Sequence, residues 1–314
     1  MNPYRSEYKW SNVFAMIHNL NLDPKICSED FPHRLVVITG ATSGIGYAAA
    51  RKYASHGADL LLINRNEKKS REICDELNCE FNVTCTDFIA DFSKLSDIHS
   101  AAKFLAELER NIDVLIHNAG IYLTRRTFTE DHLEAVFQVN YLSTFILNCY
   151  LLEKLKTQQR GRILYVNSEA YRFAVAGLNF DDLFWEKRRY SGLKSYGAAK
   201  LAQLLSMIIF NEHLQGSGIT INAMHPGNVK TNSGQYNGRL YKILKSILID
   251  PFARPIEIAA EALYYLGVSS ELDNISGKFF NLTTLEEPAP PALDKNAALR
   301  LWEISMNLGG IYEK

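Results

Sequence analysis

Residues 35–46 read Leu-Val-Val-Ile-Thr-Gly-Ala-Thr-Ser-Gly-Ile-Gly, and the order within them decides the fold. Leu35-Val-Val-Ile38 is a continuous apolar run of strand length, as expected for a strand covered on both faces in a parallel sheet. Glycines follow at Gly40, Gly44 and Gly46, and a helical pattern begins at about residue 44. Glycine allows a tight turn and lets backbone N–H groups approach a ligand closely. A helix start at the same place adds unpartnered N–H groups and the positive end of the helix dipole. Strand, glycine turn and helix therefore form an anion cradle suited to a pyrophosphate. The spacing Gly-x-x-x-Gly-x-Gly departs from G-x-G-x-x-G, but the strand–turn–helix context is the right one.

Working outward, similar apolar runs recur at Leu60-Leu-Leu-Ile63, Val114-Leu-Ile116, Ile163-Leu-Tyr-Val166 and Ile219-Thr-Ile-Asn-Ala223. Helical patterns lie between and around them, at about 66–78, 94–110, 130–157 and 195–215. Strand alternating with helix predicts an α/β fold: a single Rossmann-type, doubly wound parallel sheet of about seven strands. Helices are expected on both faces, with a C-terminal helical addition at about 294–308 after Pro288, Pro290 and Pro291. No linker or internal repeat divides the chain. The expected organisation is an arm over residues 1–33 and one domain over 34–314.

Composition excludes several classes. The 34 basic and 35 acidic residues give a net charge of −1, so no global basic field argues for nucleic acid or an anionic membrane. No apolar stretch approaches transmembrane length, so no transmembrane segment is expected. The N-terminus lacks a basic region followed by an apolar one. Tyr4, Tyr8, Trp10, Phe14 and Ile17 in the arm suit packing on the domain, with peripheral membrane contact as the alternative. Five cysteines form no C-x-x-C pair and no zinc spacing, so no metal site is expected and the compartment reads as reducing, hence cytoplasmic.

The second strand ends in Asn64 and Arg65. A carboxylate there would bind a ribose 2′-hydroxyl, whereas arginine accommodates a 2′-phosphate, so NADP(H) is the expected cofactor. Asp91, after the third strand region, could accept a hydrogen bond from the adenine amine. Further on, Tyr196 and Lys200 stand four residues apart, on one helix face. An ammonium beside a phenol favours the phenolate; a shift of about three units corresponds to roughly 4 kcal/mol.

These stretches, taken in order, resemble the short-chain dehydrogenase/reductase family over about residues 35–310. Thr39 to Gly46, with Thr42, Ser43 and Ile45 inside it, is similar to that family's cofactor loop. Asn118-Ala119-Gly120 resembles the turn after strand four, and Asn140 the helical active-site asparagine. Ser168 and Tyr196-x-x-x-Lys200 resemble the catalytic serine, tyrosine and lysine. Pro226-Gly227-Asn-Val229-Lys-Thr231 resembles the loop that closes on the nicotinamide. Asn179-Phe-Asp-Asp-Leu, His225-Pro-Gly-Asn and Leu299-Arg-Leu-Trp302-Glu-Ile-Ser305 resemble the retinol dehydrogenase-like branch. The chain departs from the family pattern at His117, Tyr141 and Asn167, each of which could alter pocket shape or rate.

The resemblance implies an NADP(H)-dependent oxidoreductase with Tyr196 as general acid/base, assisted by Lys200, Ser168 and Asn140. A cofactor-binding regulator or scaffold with little turnover is the alternative. The apolar stripe Leu240, Ile243, Leu244, Ile247 and Leu248 reads either as a packing helix or as a lid. Phe173, Phe180, Phe184 and Trp185 are expected to border the site. Both features point to an apolar carbonyl or alcohol substrate. Leu201, Leu204, Leu205, Ile208 and Ile209 could form core or a homodimer interface.

Overall fold

Side chains along the first strand alternate between two apolar layers, which is what burial on both faces of a sheet demands. In the computed structural model, which describes residues 2–8, 12, 18–19, 22–229, 234, 237–238 and 253–311, β1 (Leu35–Thr39) is buried throughout. Leu35 and Val37 join one hydrophobic cluster, Val36 and Ile38 the other. Around it lie β2 (Asp59–Asn64), β3 (Cys85–Ile89), β4 (Val114–His117), β5 (Gly161–Val166), β6 (Ile219–His225), β7 (Phe279–Asn281) and β8 (Thr284–Glu286). They form one eight-stranded sheet in the order β3-β2-β1-β4-β5-β6-β7-β8. All neighbours run parallel except β7 and β8. The antiparallel β8 makes eight strands rather than the seven expected.

Among the described residues the helices are α1 (Gly44–Ala54), α2 (Glu67–Phe81), α3 (Leu95–Ala106), α4 (Ala135–Gln158), α5 (Gly192–His213), α6 (Glu257–Val268) and α7 (Lys295–Leu308). Residues of α3, α4, α5 and α7 fill the layer reached by Val37, and those of α1, α2 and α6 the layer reached by Val36. Strand order reverses between β1 and β4, and a ligand crevice forms at the carboxyl ends of strands around such a point. By length and mean hydropathy (1.3) α4 could cross a membrane, but 78% of that window is buried inside the fold. Leu201, Leu204, Leu205 and Ile209 of α5 are likewise core.

Described residues before β1 hydrogen-bond to the rest of the chain. The Tyr4 hydroxyl donates to Asp294 (2.7 Å) and Asn19 Nδ2 to Glu286 (3.0 Å). Lys25 pairs with Glu271 at 2.8 Å. Thr231 and the stripe Leu240–Leu248 lie outside the described residues.

Candidate active site

A cleft of about 880 Å³ runs along the carboxyl ends of the central strands. Gly40, Thr42, Ser43, Gly44 and Ile45 line one end. Gly40 (φ +71°) and Gly44 (φ +64°) occupy left-handed backbone that favours glycine. A Cβ on Gly40 would lie 2.8 Å from the Ala119 Cα, and one on Gly46 2.5 Å from the Gly40 carbonyl oxygen. The cradle is thus shaped by missing side chains. Ser43, the residue before α1, makes no side-chain cap, so the first-turn N–H groups face the loop without one.

Two asparagines brace this loop. Asn64, buried at the end of β2, accepts from Ala41 N (2.7 Å) and donates to the Ser70 hydroxyl (2.8 Å). Asn118 donates through Nδ2 to the carbonyls of Thr39 (3.0 Å) and Gly40 (2.8 Å). The Thr39 hydroxyl accepts from the N–H groups of Asn118 and Ala119, both at 3.0 Å. Asn118, Ala119 and Gly120 all line the cleft beside the glycine loop. Arg65, half exposed, stands 4.0 Å from the Asp91 carboxylate, and Lys69 lines the same end.

Ser168, Tyr196 and Lys200 line the opposite end, with Pro226, Gly227 and Val229 following β6. Tyr196 and Lys200 share a face of α5, and the Lys200 Nζ lies 5.7 Å from the Tyr196 ring centroid. That ammonium is buried, donating to the Val166 carbonyl (2.8 Å) and to Gln203 Oε1 (3.2 Å). Burial pushes its pKa down to about 7, because a charged amine loses hydration that two neutral acceptors replace only in part. Ser168, two residues past the end of β5, has extended backbone and caps the turn Glu169–Phe173, its hydroxyl accepting from Ala170 N at 3.2 Å.

Asn140 and Gly46 do not line the cleft; they sit behind it. Asn140 lies in a π turn, Gln138–Leu142, within α4. Its side chain clamps Ile121 twice, accepting from the Ile121 N–H (2.7 Å) and donating to the Ile121 carbonyl (2.9 Å). The clamp holds the loop after Gly120 against α4.

The three departures from the family pattern have structural explanations. His117 is core: its Nε2 meets Asn148 at 2.8 Å, and burial lowers its pKa to about 4, so it is neutral. Tyr141 points to the Ser305 hydroxyl of α7 at 2.7 Å. Asn167 holds the Ser168 N–H (2.8 Å) and donates to the Lys200 carbonyl and Gln203 Oε1, both at 3.0 Å.

The aromatic residues after Ser168 differ from expectation. Trp185 is buried against Tyr190 and the Arg188 guanidinium, Phe184 packs on Phe137 of α4, and Phe180 on Arg300. None of these, nor Phe173, lines the cleft; Ala170 and Leu193 do. Bulky side chains in a long connection filled gaps between α4, α5 and α7 instead. Sequence reasoning missed Tyr122, whose ring meets Tyr196 edge-on at 5.8 Å, and Gln203, a polar residue inside the apolar pattern of α5. A buried glutamine three residues after Lys200 was the available signal for the second. Among the described residues no cluster of metal-ligating side chains occurs.

A family model described as short chain dehydrogenase matches residues 34–180. The chain is 36% identical to retinol dehydrogenase 13 of Homo sapiens over 286 residues, covering 89% of this chain and 86% of that protein. It is 31% identical to the WW domain-containing oxidoreductase of Danio rerio, covering 89% of this chain and 69% of that one. Among solved structures, an uncharacterized protein from Mycobacterium paratuberculosis superposes with a TM-score of 0.69 at 26% identity, over 90% of this chain and 95% of its own.

Proposed function

We propose that this chain, which belongs to the short-chain dehydrogenase/reductase family in its retinol dehydrogenase-like branch, interconverts apolar carbonyl compounds and alcohols with NADP(H). One observation carries the reading: Ser168, Tyr196 and Lys200 converge in the cleft whose other end is the glycine cradle.

A nicotinamide cofactor, when bound, supplies or accepts the hydride. The residues present fit it: the Gly40–Gly46 cradle is drawn tight because a Cβ at Gly40 or Gly46 would collide with the chain, and such a turn at a helix start admits a pyrophosphate. Tyr196 gives a proton to the substrate oxygen in reduction and takes one in oxidation. Lys200, held close to its ring, favours the phenolate by charge. The Ser168 hydroxyl donates to the substrate oxygen and stabilises charge that develops there. Asn140 acts through Ile121, fixing one wall of the cleft.

The preference for NADP(H) over NAD(H) rests on Arg65, just after β2, and Lys69, in the first turn of α2, with no carboxylate at residues 64–66. The apolar substrate follows from Ile121, Tyr122, Val139, Ala170 and Leu193 around Tyr196 and Ser168. Retinol dehydrogenases among the relatives point the same way.

The test is Tyr196→Phe with NADPH and a panel of retinal, fatty aldehydes, steroids and quinones. The wild type should oxidise NADPH with apolar carbonyls, and the variant should lose about 10²-fold or more. Unchanged turnover in Tyr196→Phe sinks the acid assignment. Tight NADPH binding without turnover across the panel would instead favour a regulatory protein.

A further inference from the structure

We propose that Gln203 is a positioning residue that fixes the ammonium of Lys200 and thereby sets the pH range over which Tyr196 exchanges its proton. The inference rests on the function proposed above, since it concerns the same proton-handling pair.

Gln203 is buried on α5 and does not line the cleft, so it touches neither substrate nor cofactor. It stands three residues after Lys200 and seven after Tyr196, on the helix face those two share. Its Oε1 accepts from Lys200 Nζ (3.2 Å) and from Asn167 Nδ2 (3.0 Å). Its Nε2 donates to the Asn140 carbonyl (2.8 Å) and reaches the Thr144 hydroxyl (3.5 Å).

The chemistry of the neighbours fixes the direction of the amide. An ammonium can only donate and a backbone carbonyl can only accept, so a flipped amide would set donor against donor and acceptor against acceptor. Asn167, which orients Gln203 from one side, is the residue that holds the Ser168 N–H. A single neutral amide thus ties together Lys200, the anchor of Ser168, and the π turn bearing Asn140.

The neutrality of that acceptor matters. Lys200 is buried with Val166 O and Gln203 Oε1 as its acceptors among the described residues, and burial disfavours its charged form. Without the Gln203 oxygen the amine would be neutral over more of the working range and would exert no field on the phenol. With a carboxylate in its place the ammonium would persist, but its charge would be cancelled at the phenol. Either change moves the titration of Tyr196 upward. The other titratable groups facing the pair do not substitute. His117 of β4 and His225 of β6 are held neutral by burial, each lowered to about 4. Tyr122 is a phenol raised by burial, Glu169 is paired with Arg172, and Lys194 of α5 is exposed.

The experiment is an ultraviolet difference titration of phenolate, intact protein minus Tyr196→Phe, in the absence of cofactor and with saturating NADP⁺. It is repeated with Gln203→Met and with Gln203→Glu, each paired with its own Tyr196→Phe control. Gln203→Met removes all four polar contacts, while Gln203→Glu keeps the shape and the acceptor should the first variant fail to fold. In the wild type the difference spectrum should show a Tyr196 step below the ordinary phenol range. In each Gln203 variant that folds, the step should rise by about one pH unit, the effect of losing or cancelling one charge-assisted contact. A wild-type step that both variants leave in place overturns the inference alone. A wild type with no lowered step overturns the proposed role of Tyr196 as well.

Discussion

Replacing Lys200 with methionine should destabilise the protein in base, and lowering the pH should erode most or all of that loss. Lys200 is buried, with its pKa pushed from 10.5 down to about 7 by lost hydration. Between those two values the unfolded chain carries the proton and the folded chain does not, so wild-type stability rises with pH across that window. At about 1.4 kcal/mol per unit, the depressed pKa corresponds to a cost of about 5 kcal/mol below pH 7, fading to nothing near 10.5. Methionine removes this cost, but leaves the Val166 carbonyl and Gln203 Oε1 short of a donor, at about 1–3 kcal/mol each.

At pH 6 the two effects should leave the variant between about 1 kcal/mol less and about 3 kcal/mol more stable than the wild type, and its relative stability should fall by about 3 kcal/mol between pH 7 and 9.5. The assay is urea unfolding of both cofactor-free proteins followed by tryptophan fluorescence at several pH values, with equal slopes required for the comparison. Titrations common to both proteins cancel in the difference. A stability difference flat to within about 1 kcal/mol over that range would refute the view that a desolvated ammonium lies at the centre of this site.

Gly40→Ala forces a side chain into left-handed backbone 2.8 Å from the Ala119 Cα. It should cost about 1–3 kcal/mol in unfolding experiments and weaken NADPH binding, read by its fluorescence, at least about tenfold. Arg65→Asp replaces a cation beside Asp91 with a second carboxylate. NADPH affinity should fall about tenfold or more while NADH affinity does not, and an equal loss for both would remove Arg65 from 2′-phosphate recognition. Glu169→Gln tests the charged cluster beside Ser168, where burial first, and Glu286 next to it, raise the Glu169 carboxyl to about 7 despite Arg172. The folded state then holds the extra proton between pH 4.5 and 7, so the wild type loses stability as pH rises through that window. The variant should gain stability relative to the wild type as pH rises through that window, and a gain that does not grow with pH refutes this.

The architecture was legible wherever a strand was buried on both faces. Leu35–Ile38, Leu60–Ile63 and Ile163–Val166 are apolar because both of their faces meet helices. β3 was only a region in the sequence because it is the edge strand, where Cys85-Thr-Asp-Phe-Ile is largely part-exposed and carries no apolar run. The short β7–β8 pair gives too few residues to show a period. α6 was missed for a different reason: Ala259, Ala260, Ala262 and Leu263 through Val268 are all buried, and Glu257 and Glu261, its only charged residues, make too narrow a polar face to mark it as amphipathic. In the site, residues that touch the cleft could be read from motif spacing, since backbone geometry ties Tyr196 to Lys200 on one helix. Asn64 was expected beside the cofactor and Asn140 in the proton relay; Asn64 does line the cleft, and both side chains brace loops. Spacing reports which face a side chain occupies, but not which partner claims its hydrogen bonds.

That distinction explains why the departures from the family pattern have to be judged together. Asn167 alone reads as the loss of a hydroxyl next to Ser168. In place, its oxygen takes the Ser168 N–H and its nitrogen serves the Lys200 carbonyl and Gln203. Gln203 donates to the backbone carbonyl of Asn140, whose own side-chain amide separately clamps Ile121. Within this set the Asn167 and Gln203 amides orient one another, and their contacts with a donor-only ammonium and acceptor-only carbonyls fix their direction. The cost of breaking any member is the cost of leaving a buried polar group without its partner, which exceeds the net worth of the bond itself. A change at Asn167 or Gln203 must therefore reach Lys200, although neither side chain needs to meet the substrate.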